Sequence, residues 1–301
     1  MSESNTYFNL AAEERNGYLV SSEMKRIWAV ELDLLAKFID ICEKHNLTYF
    51  ADGGTILGAV RHGGFIPWDN DIDVAMPRPD YEKFLSLGNS VFEQPYFLQT
   101  PQTENGRYFS TWSKLCNSST TGRCIDDFNM GINCGIFIDI FPLDKIPENK
   151  FSRKLFYFRL DCIKKASKFC FGIAPKKGMI NHIKFLSKKI YYNLILHSPD
   201  AATLFRMYNK RAASCWRSRS SLIGDVSFGY VDRFIWQYTE WEKPKKVAFE
   251  YLSINIPEDY DAVLSKQYGD YMTFPKDKST HSYYTFNPDI PYSALFSKTN
   301  K

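Results

Sequence analysis

Residues 49–76 read YFADGGTILGAVRHGGFIPWDNDIDVAM, and this stretch decides the fold because it sets a glycine turn, an arginine and three alternating aspartates in a strand, turn, helix, strand order. Asp69, Asp71 and Asp73 occupy every second position of DNDID, and in an extended chain alternate side chains share a face. Three carboxylates on one face repel one another unless a cation or solvent relieves them. An oxygen-only donor set suits Mg²⁺ or Mn²⁺ rather than zinc. The competing reading is a solvated acidic turn, but Ile72, Val74, Ala75 and Met76 give the segment the character of a buried strand. An EF-hand loop is excluded, because Val74 and Asp80 stand where its glycine and its closing glutamate belong.

Just upstream, Leu47 to Ala51 reads as a short strand running into Asp52, Gly53, Gly54 and Thr55, and Ile56, Leu57, Ala59 and Val60 follow with helical spacing. Two glycines let backbone amides approach an anion, and the start of a helix favours negative charge. The outline is that of a phosphate cradle, although it matches neither the dinucleotide fingerprint nor the Walker A loop. Arg61 could hold a phosphate as a fork, which makes the combination more specific than the glycines alone.

Read together, DGGTILGAVRHGGFIPWDNDIDVAMPRPDYEKF (residues 52–84) and GIFIDIFPLD (135–144) resemble the signature of the LicD family of phosphotransferases. A looser third block, YGDYMTFPKDKSTH (268–281), is similar to that family's C-terminal segment. The doubled Gly53-Gly54 departs from the commoner single glycine. The resemblance implies an α+β fold, a nucleotidyltransferase-like mixed sheet flanked by helices, with a basic helical insert and a C-terminal extension. It implies metal-dependent transfer of a phospho-alcohol, phosphocholine first, from a CDP-linked donor to a hydroxyl of a surface glycan such as teichoic acid, lipopolysaccharide or capsule, with CMP leaving. In that scheme Asp69, Asp71, Asp73 and Asp139 hold Mg²⁺ or Mn²⁺, and Asp71, Asp73 and Asp139 are catalytic. Gly53, Gly54, Thr55, Arg61 and His281 bind the donor phosphates. Phosphoribitol, phosphoglycerol and phosphoethanolamine are alternative cargoes. A nucleotidyltransferase using a nucleoside triphosphate and an inactive binding module are the competing classes.

Elsewhere the chain reads as support. Met24, Ile27, Trp28, Leu34, Leu35, Phe38, Ile41 and Cys42 recur at helical spacing, with Ser22 as cap and Asn46 as stop. Pro79 opens a helix with Asp80 and Glu82 in its first turn. Tyr96 to Thr100, Tyr108 to Leu115 and Gly135 to Phe141 have strand character. In the last of these Asp139 is a lone charge among apolar residues, and burying it unpaired is expensive. It either completes the carboxylate cluster or acts as the base, or it is paired with Arg61 or Lys114.

The total charge of +4 conceals an asymmetry: residues 150–219 hold 17 Lys and Arg against Asp161 and Asp200 alone, a local +15 that leaves −11 for the rest. In this insert Leu155, Phe158, Cys162 and Phe169, then Ile180, Ile183, Leu186, Ile190 and Leu194, recur at roughly helical intervals. The base expectation is helices covering the catalytic sheet. The alternative is a basic, aromatic face on an anionic membrane or a polyanionic acceptor. No nucleic-acid recognition motif accompanies it. The expected organisation is a loosely ordered leader (1–22), a catalytic core (23–149), the basic, mainly helical insert (150–240) and a C-terminal segment completing the site (241–301).

Seven cysteines, an odd number without a C-x-x-C pair, indicate free thiols. The first residues lack a signal-peptide pattern, and no apolar run has the length of a membrane span. The expected location is cytoplasmic, peripheral at the inner face of the cell membrane. The expected partners are a CDP-linked donor and a glycan acceptor, lipid-linked in one version.

Overall fold

A computed structural model describes residues 8–124, 131–171, 178–276, 278 and 284–296. The elements in order are β1 (Glu13–Arg15), β2 (Tyr18–Val20), α1 (Ser22–His45), β3 (Phe50–Ala51), α2 (Gly53–His62), β4 (Asp73–Pro77), α3 (Arg78–Leu87), β5 (Tyr96–Gln99), β6 (Ser113–Asn117), β7 (Thr121–Cys124) and β8 (Ile136–Lys145). They continue with α4 (Lys150–Phe171), α5 (Met179–Ile195), α6 (Ala201–Ala212), β9 (Leu222–Asp225), β10 (Ile235–Gln237), β11 (Pro244–Phe249), β12 (Leu252–Pro257), α7 (Tyr260–Tyr268), β13 (Tyr284–Asn287) and α8 (Ser293–Phe296).

The expected α+β class holds: the main sheet is mixed, in the order β10-β9-β8-β4-β3, with β6 also on β8 and β5 on β6. Strand β8 is its spine. Along one edge it runs parallel to β4, Asp73 beside Asp139 through Pro77 beside Leu143. Along the other, Ile136 to Ile140 pair with β6 and Leu143 to Lys145 pair with β9, both antiparallel. The change of partner falls at Phe141-Pro142. Proline has no N–H to donate to a ladder, which suits it to such a switch.

The alternation along β8 separates two faces. Ile138 and Ile140 join Val74 and Met76 of β4 under α1, whose Leu32, Leu35 and Phe38 are fully buried. Phe141 and Leu143 pack on the opposite face with Phe50, Ala75, Trp236 and Trp241. Helix α1 begins one residue earlier in its capping than the sequence indicated: the Ser21 hydroxyl, not that of Ser22, accepts the Met24 N–H at 3.1 Å. Asn46 closes the helix in the left-handed conformation (φ 51°), as its position as a stop implied.

Three expectations need correction. Residues 13–20 are not a loose leader but a hairpin, clipped to the core by Arg15, whose guanidinium donates to both carboxylate oxygens of Glu250 at 2.5 and 3.0 Å. Tyr108 to Trp112 are not strand, because the Ser110 hydroxyl binds locally, accepting the Trp112 N–H and donating to its carbonyl. The insert does not simply cover the sheet. Phe156, Tyr157 and Leu160 of α4 pack with Tyr208 of α6, Val226 and Ile235, whereas Leu155, Phe158, Ile180, Ile183, Leu186, Ile190 and Leu194 are exposed.

Strand β9 carries a buried acid, Asp225, 2% exposed. Burial and the neighbouring Asp52 push its carboxyl up to about 7, against the bonds it accepts from Ser227. A raised folded-state value means that the stability present below about pH 4 is lost as pH rises through 7. Asp225→Asn, which keeps an acceptor for Ser227, should therefore nearly match the parent at pH 4 and exceed it by about 4 kcal/mol at pH 8. Urea titrations at the two pH values measure this.

Candidate active site

The register of the sheet builds a row of polar side chains. Asp73 on β4, Asp139 on β8, Lys114 on β6 and Gln99 on β5 are successive cross-strand partners, and such partners share a face. Asp52 extends the row at the end of β3, its N–H donating to the Asp73 carbonyl at 3.0 Å. The face is the one that carries Phe141, away from α1.

The glycine turn lies directly against this row. A β-carbon added to Gly53 would stand 2.9 Å from Asp73 Oδ2, and one added to Gly54 would stand 2.6 Å from Asp69 Oδ2. Gly53 also has a φ of +52°, the left-handed region that side chains disfavour. The two glycines therefore let the first turn of α2 meet the Asp69 and Asp73 carboxylates in close contact. Asp52 caps that helix, accepting the Gly53 N–H at 2.8 Å. Thr55 ties helix to strand: its hydroxyl accepts the Asp73 N–H at 2.8 Å.

Of DNDID, only Asp73 lies in a strand. Asp69, Asp71 and Asp73 are brought together nonetheless. Burial and the carboxylates of Asp71, Asp139, Asp52 and Asp69 hold Asp73 well above the usual range. Asp69 is raised by burial, opposed by a hydrogen bond with the Asp71 carboxyl. Asp139 is also raised by burial, and Lys114 and Trp112 oppose the shift. Its Oδ1 accepts the Trp112 indole N–H at 2.7 Å and lies 3.5 Å from Lys114 Nζ. Asp139 is thus paired with Lys114, not Arg61, and still stands beside Asp73.

Arg61 stands at the other end of α2 from Gly53. Its guanidinium donates to the Tyr271 carbonyl at 2.8 Å and to His62 Nε2 at 3.0 Å, and it lies over the Phe274 ring. In the structure this arginine is bound to the C-terminal segment at Tyr271 and Phe274. Tyr268, the last residue of α7, is 43% exposed yet close enough to the row that desolvation and the carboxylates of Asp52, Asp73, Asp69 and Asp71 raise its pKa. His281 lies outside the described residues.

Sequence reading missed Glu31. It sits on α1 one turn after Trp28, whose indole N–H donates to the Asp69 carbonyl at 2.8 Å. Glu31 is fully buried, neither of its oxygens has a partner among the described residues, and burial together with Asp71 and Asp69 drives its pKa well up. The available signal was an acid inside an apolar helical stripe.

Among the described residues, no three Asp, Glu, His or Cys side chains are already drawn together as a ligand set. The donor chemistry nevertheless fits a hard divalent cation. The cluster supplies oxygens only, its members oppose one another's ionisation, and a buried carboxylate behind it is orphaned. Beside Asp139, a cavity of ≈ 290 Å³ is walled by Tyr108, Phe109, Trp112 and Phe137, with Lys114 and Lys164 at its lining.

Residues 46–171 match the family described as LicD/FKTN/FKRP, nucleotidyltransferase domain. Over 258 residues the chain is 28% identical to the lipopolysaccharide cholinephosphotransferase LicD of Haemophilus influenzae, covering 82% of this chain and 90% of that protein. It is 30% identical over 113 residues to mannosyltransferase regulator 4 of Saccharomyces cerevisiae, 36% of this chain and 9% of that one. Over 38 residues it is 42% identical to the human ribitol 5-phosphate transferase FKRP, 13% of this chain and 8% of that one.

Proposed function

We propose, for a chain that belongs to the LicD family of phosphotransferases, that it moves phosphocholine from a CDP-linked donor to a hydroxyl of a cell-surface glycan and releases CMP. The observation that carries this reading is the contact of the Asp69 and Asp73 carboxylates with the Gly53-Gly54 turn. Phosphate-binding backbone and cation-binding carboxylates then serve one site.

Asp71 and Asp73, with Asp69, would hold Mg²⁺ or Mn²⁺, and Asp139, the alternative fourth ligand, is here assigned the role of base. When bound, such an ion neutralises a pyrophosphate and stabilises the charge that develops on a moving phosphoryl group. Gly53, Gly54 and Thr55 form the start of α2 assigned to the donor phosphates; Asp52 already takes the Gly53 and Thr55 N–H groups, so the Gly54 N–H is the amide proposed to meet a phosphate. Arg61 acts by keeping the Tyr268–Phe274 segment over the site, and His281 is assigned to the donor phosphates on resemblance. Trp112 and Lys114 fix Asp139 Oδ1, leaving Oδ2 to take the proton of the acceptor hydroxyl. The acceptor oxygen then bonds to the phosphorus distal to the nucleoside, the bond from that phosphorus to the CMP oxygen breaks, and CMP departs. Desolvation raises Asp139 and so strengthens it as a base.

The acceptor is taken to be lipid-linked and the reaction to occur in the cytoplasm, with the protein peripheral at the inner face of the membrane. Among the described residues no helix is long and apolar enough to cross a membrane.

CMP release tests the reading with purified protein, Mg²⁺ or Mn²⁺, and CDP-choline, CDP-ethanolamine, CDP-ribitol, CDP-glycerol and CTP in parallel. Metal-dependent CMP from CDP-choline is the expected result. CMP from another CDP-alcohol alone would change the cargo, and pyrophosphate from CTP alone would make the protein a nucleotidyltransferase.

A further inference from the structure

Helix α5, MINHIKFLSKKIYYNLI, presents its apolar side outward. Its protein side is narrow: Phe185 is buried, and Phe185 and Tyr192 contact the Phe169 ring of α4 at centroid distances of 5.5 and 5.6 Å. At about 100° per residue, Met179, Ile183, Leu186, Ile190 and Leu194 fall within a sector of roughly 80° on the opposite side. They are 79, 58, 42, 61 and 73% exposed. The same angular spacing puts Lys184 on one flank of this stripe and Lys189 and His182 on the other, while Lys188 falls on the protein side, its Nζ over the Phe169 ring of α4. The helix contains no acidic residue. On α4, Phe151, Leu155 and Phe158, at helical spacing, are exposed as well.

A contiguous apolar stripe in water is unfavourable, and on a stable protein it marks a surface that another phase or partner covers. The charge identifies the occupant. Residues 150–219 carry 17 basic side chains against two acidic ones, so a second copy of this face would set lysine against lysine. An anionic bilayer instead accepts the apolar side chains among its acyl chains, while the lysines extend to its headgroups.

We propose that α5 lies in the plane of an anionic membrane surface, with Met179, Ile183, Leu186, Ile190 and Leu194 inserted and the flanking Lys184 and Lys189 at the headgroups. The helix is about 25 Å long and rests in the interface without spanning it. The inference rests on the reading of a membrane-borne acceptor only for its purpose; binding is measured without donor or acceptor.

The test is co-sedimentation of the full chain with phosphatidylcholine vesicles, with and without about 30 mol% phosphatidylglycerol. Binding to the anionic vesicles is expected to be at least about 10-fold stronger and to weaken with salt. The double variant Ile183→Asp/Leu194→Asp should lose at least about 10-fold in partitioning, with an unchanged circular dichroism spectrum and unchanged CMP release. No binding to anionic vesicles, or equal binding of parent and variant, would overturn the proposal. So would a dimer in light scattering that the double variant abolishes. Intact, stripe-dependent vesicle binding by a protein that releases no CMP would sustain the docking face while removing the transfer reading.

Discussion

Asp73→Asn should lower turnover at least about 10²-fold while leaving the fold intact. Asp73 stands at the centre of the site, beside Asp139 in the sheet and against Gly53 at the start of α2. Asparagine keeps its size and removes its charge. Burial and four neighbouring carboxylates already make that charge costly in the folded protein. A raised folded-state pKa gives stability at low pH that is lost as pH rises, so the neutral variant should be at least as stable as the parent at pH 8. Activity and stability thus change in opposite directions, which distinguishes a site residue from a structural one. Asp71→Asn should lose turnover likewise. Full turnover in both variants would refute the assignment of the carboxylates.

The second large effect is structural. Arg78 donates from Nε and Nη2 to the two oxygens of Asp144, at 2.7 and 2.5 Å, and from Nη1 to Asn209 at 2.6 Å. Arg78 is 1% exposed and Asp144 is fully buried, so α3, β8 and α6 are fastened through one guanidinium. Arg78→Ala leaves the Asp144 carboxylate buried and unpaired, at an expected cost of about 3–5 kcal/mol in urea unfolding. Replacing both partners, Arg78→Met with Asp144→Leu, should recover most of that loss, because neither charge is then stranded. A single variant within about 0.5 kcal/mol of the parent would contradict this role.

The sequence makes the site's composition legible more than its assembly. Alternation in DNDID points to Asp69, Asp71 and Asp73 as neighbours, but only Asp73 lies in a strand; Asp69 and Asp73 are placed by their contacts with the Gly53-Gly54 turn, not by a continuous strand. The pairing of Asp73 with Asp139 depends on strand register between distant segments, which local pattern does not encode. Arg61 reads as a phosphate fork because its chemistry permits one, but its backbone acceptor in Tyr271 is a tertiary fact. Glu31 is hidden by the helical stripe around it, and Arg78 lies inside the quoted signature with no local hint of Asp144. In α5 the period specifies an amphipathic helix without specifying which side the protein covers. The structure settles that against the expected packing on the sheet: Phe185 faces α4 and Ile190 faces water.

The position of the bond that breaks is the most direct test of the central claim. Turnover of the active CDP-alcohol in ¹⁸O-water without acceptor, followed by ³¹P NMR, reports which phosphorus is attacked. The account predicts ¹⁸O in the phospho-alcohol and none in CMP. Label in CMP would mean attack at the nucleoside-side phosphorus and would contradict a phosphotransferase mechanism.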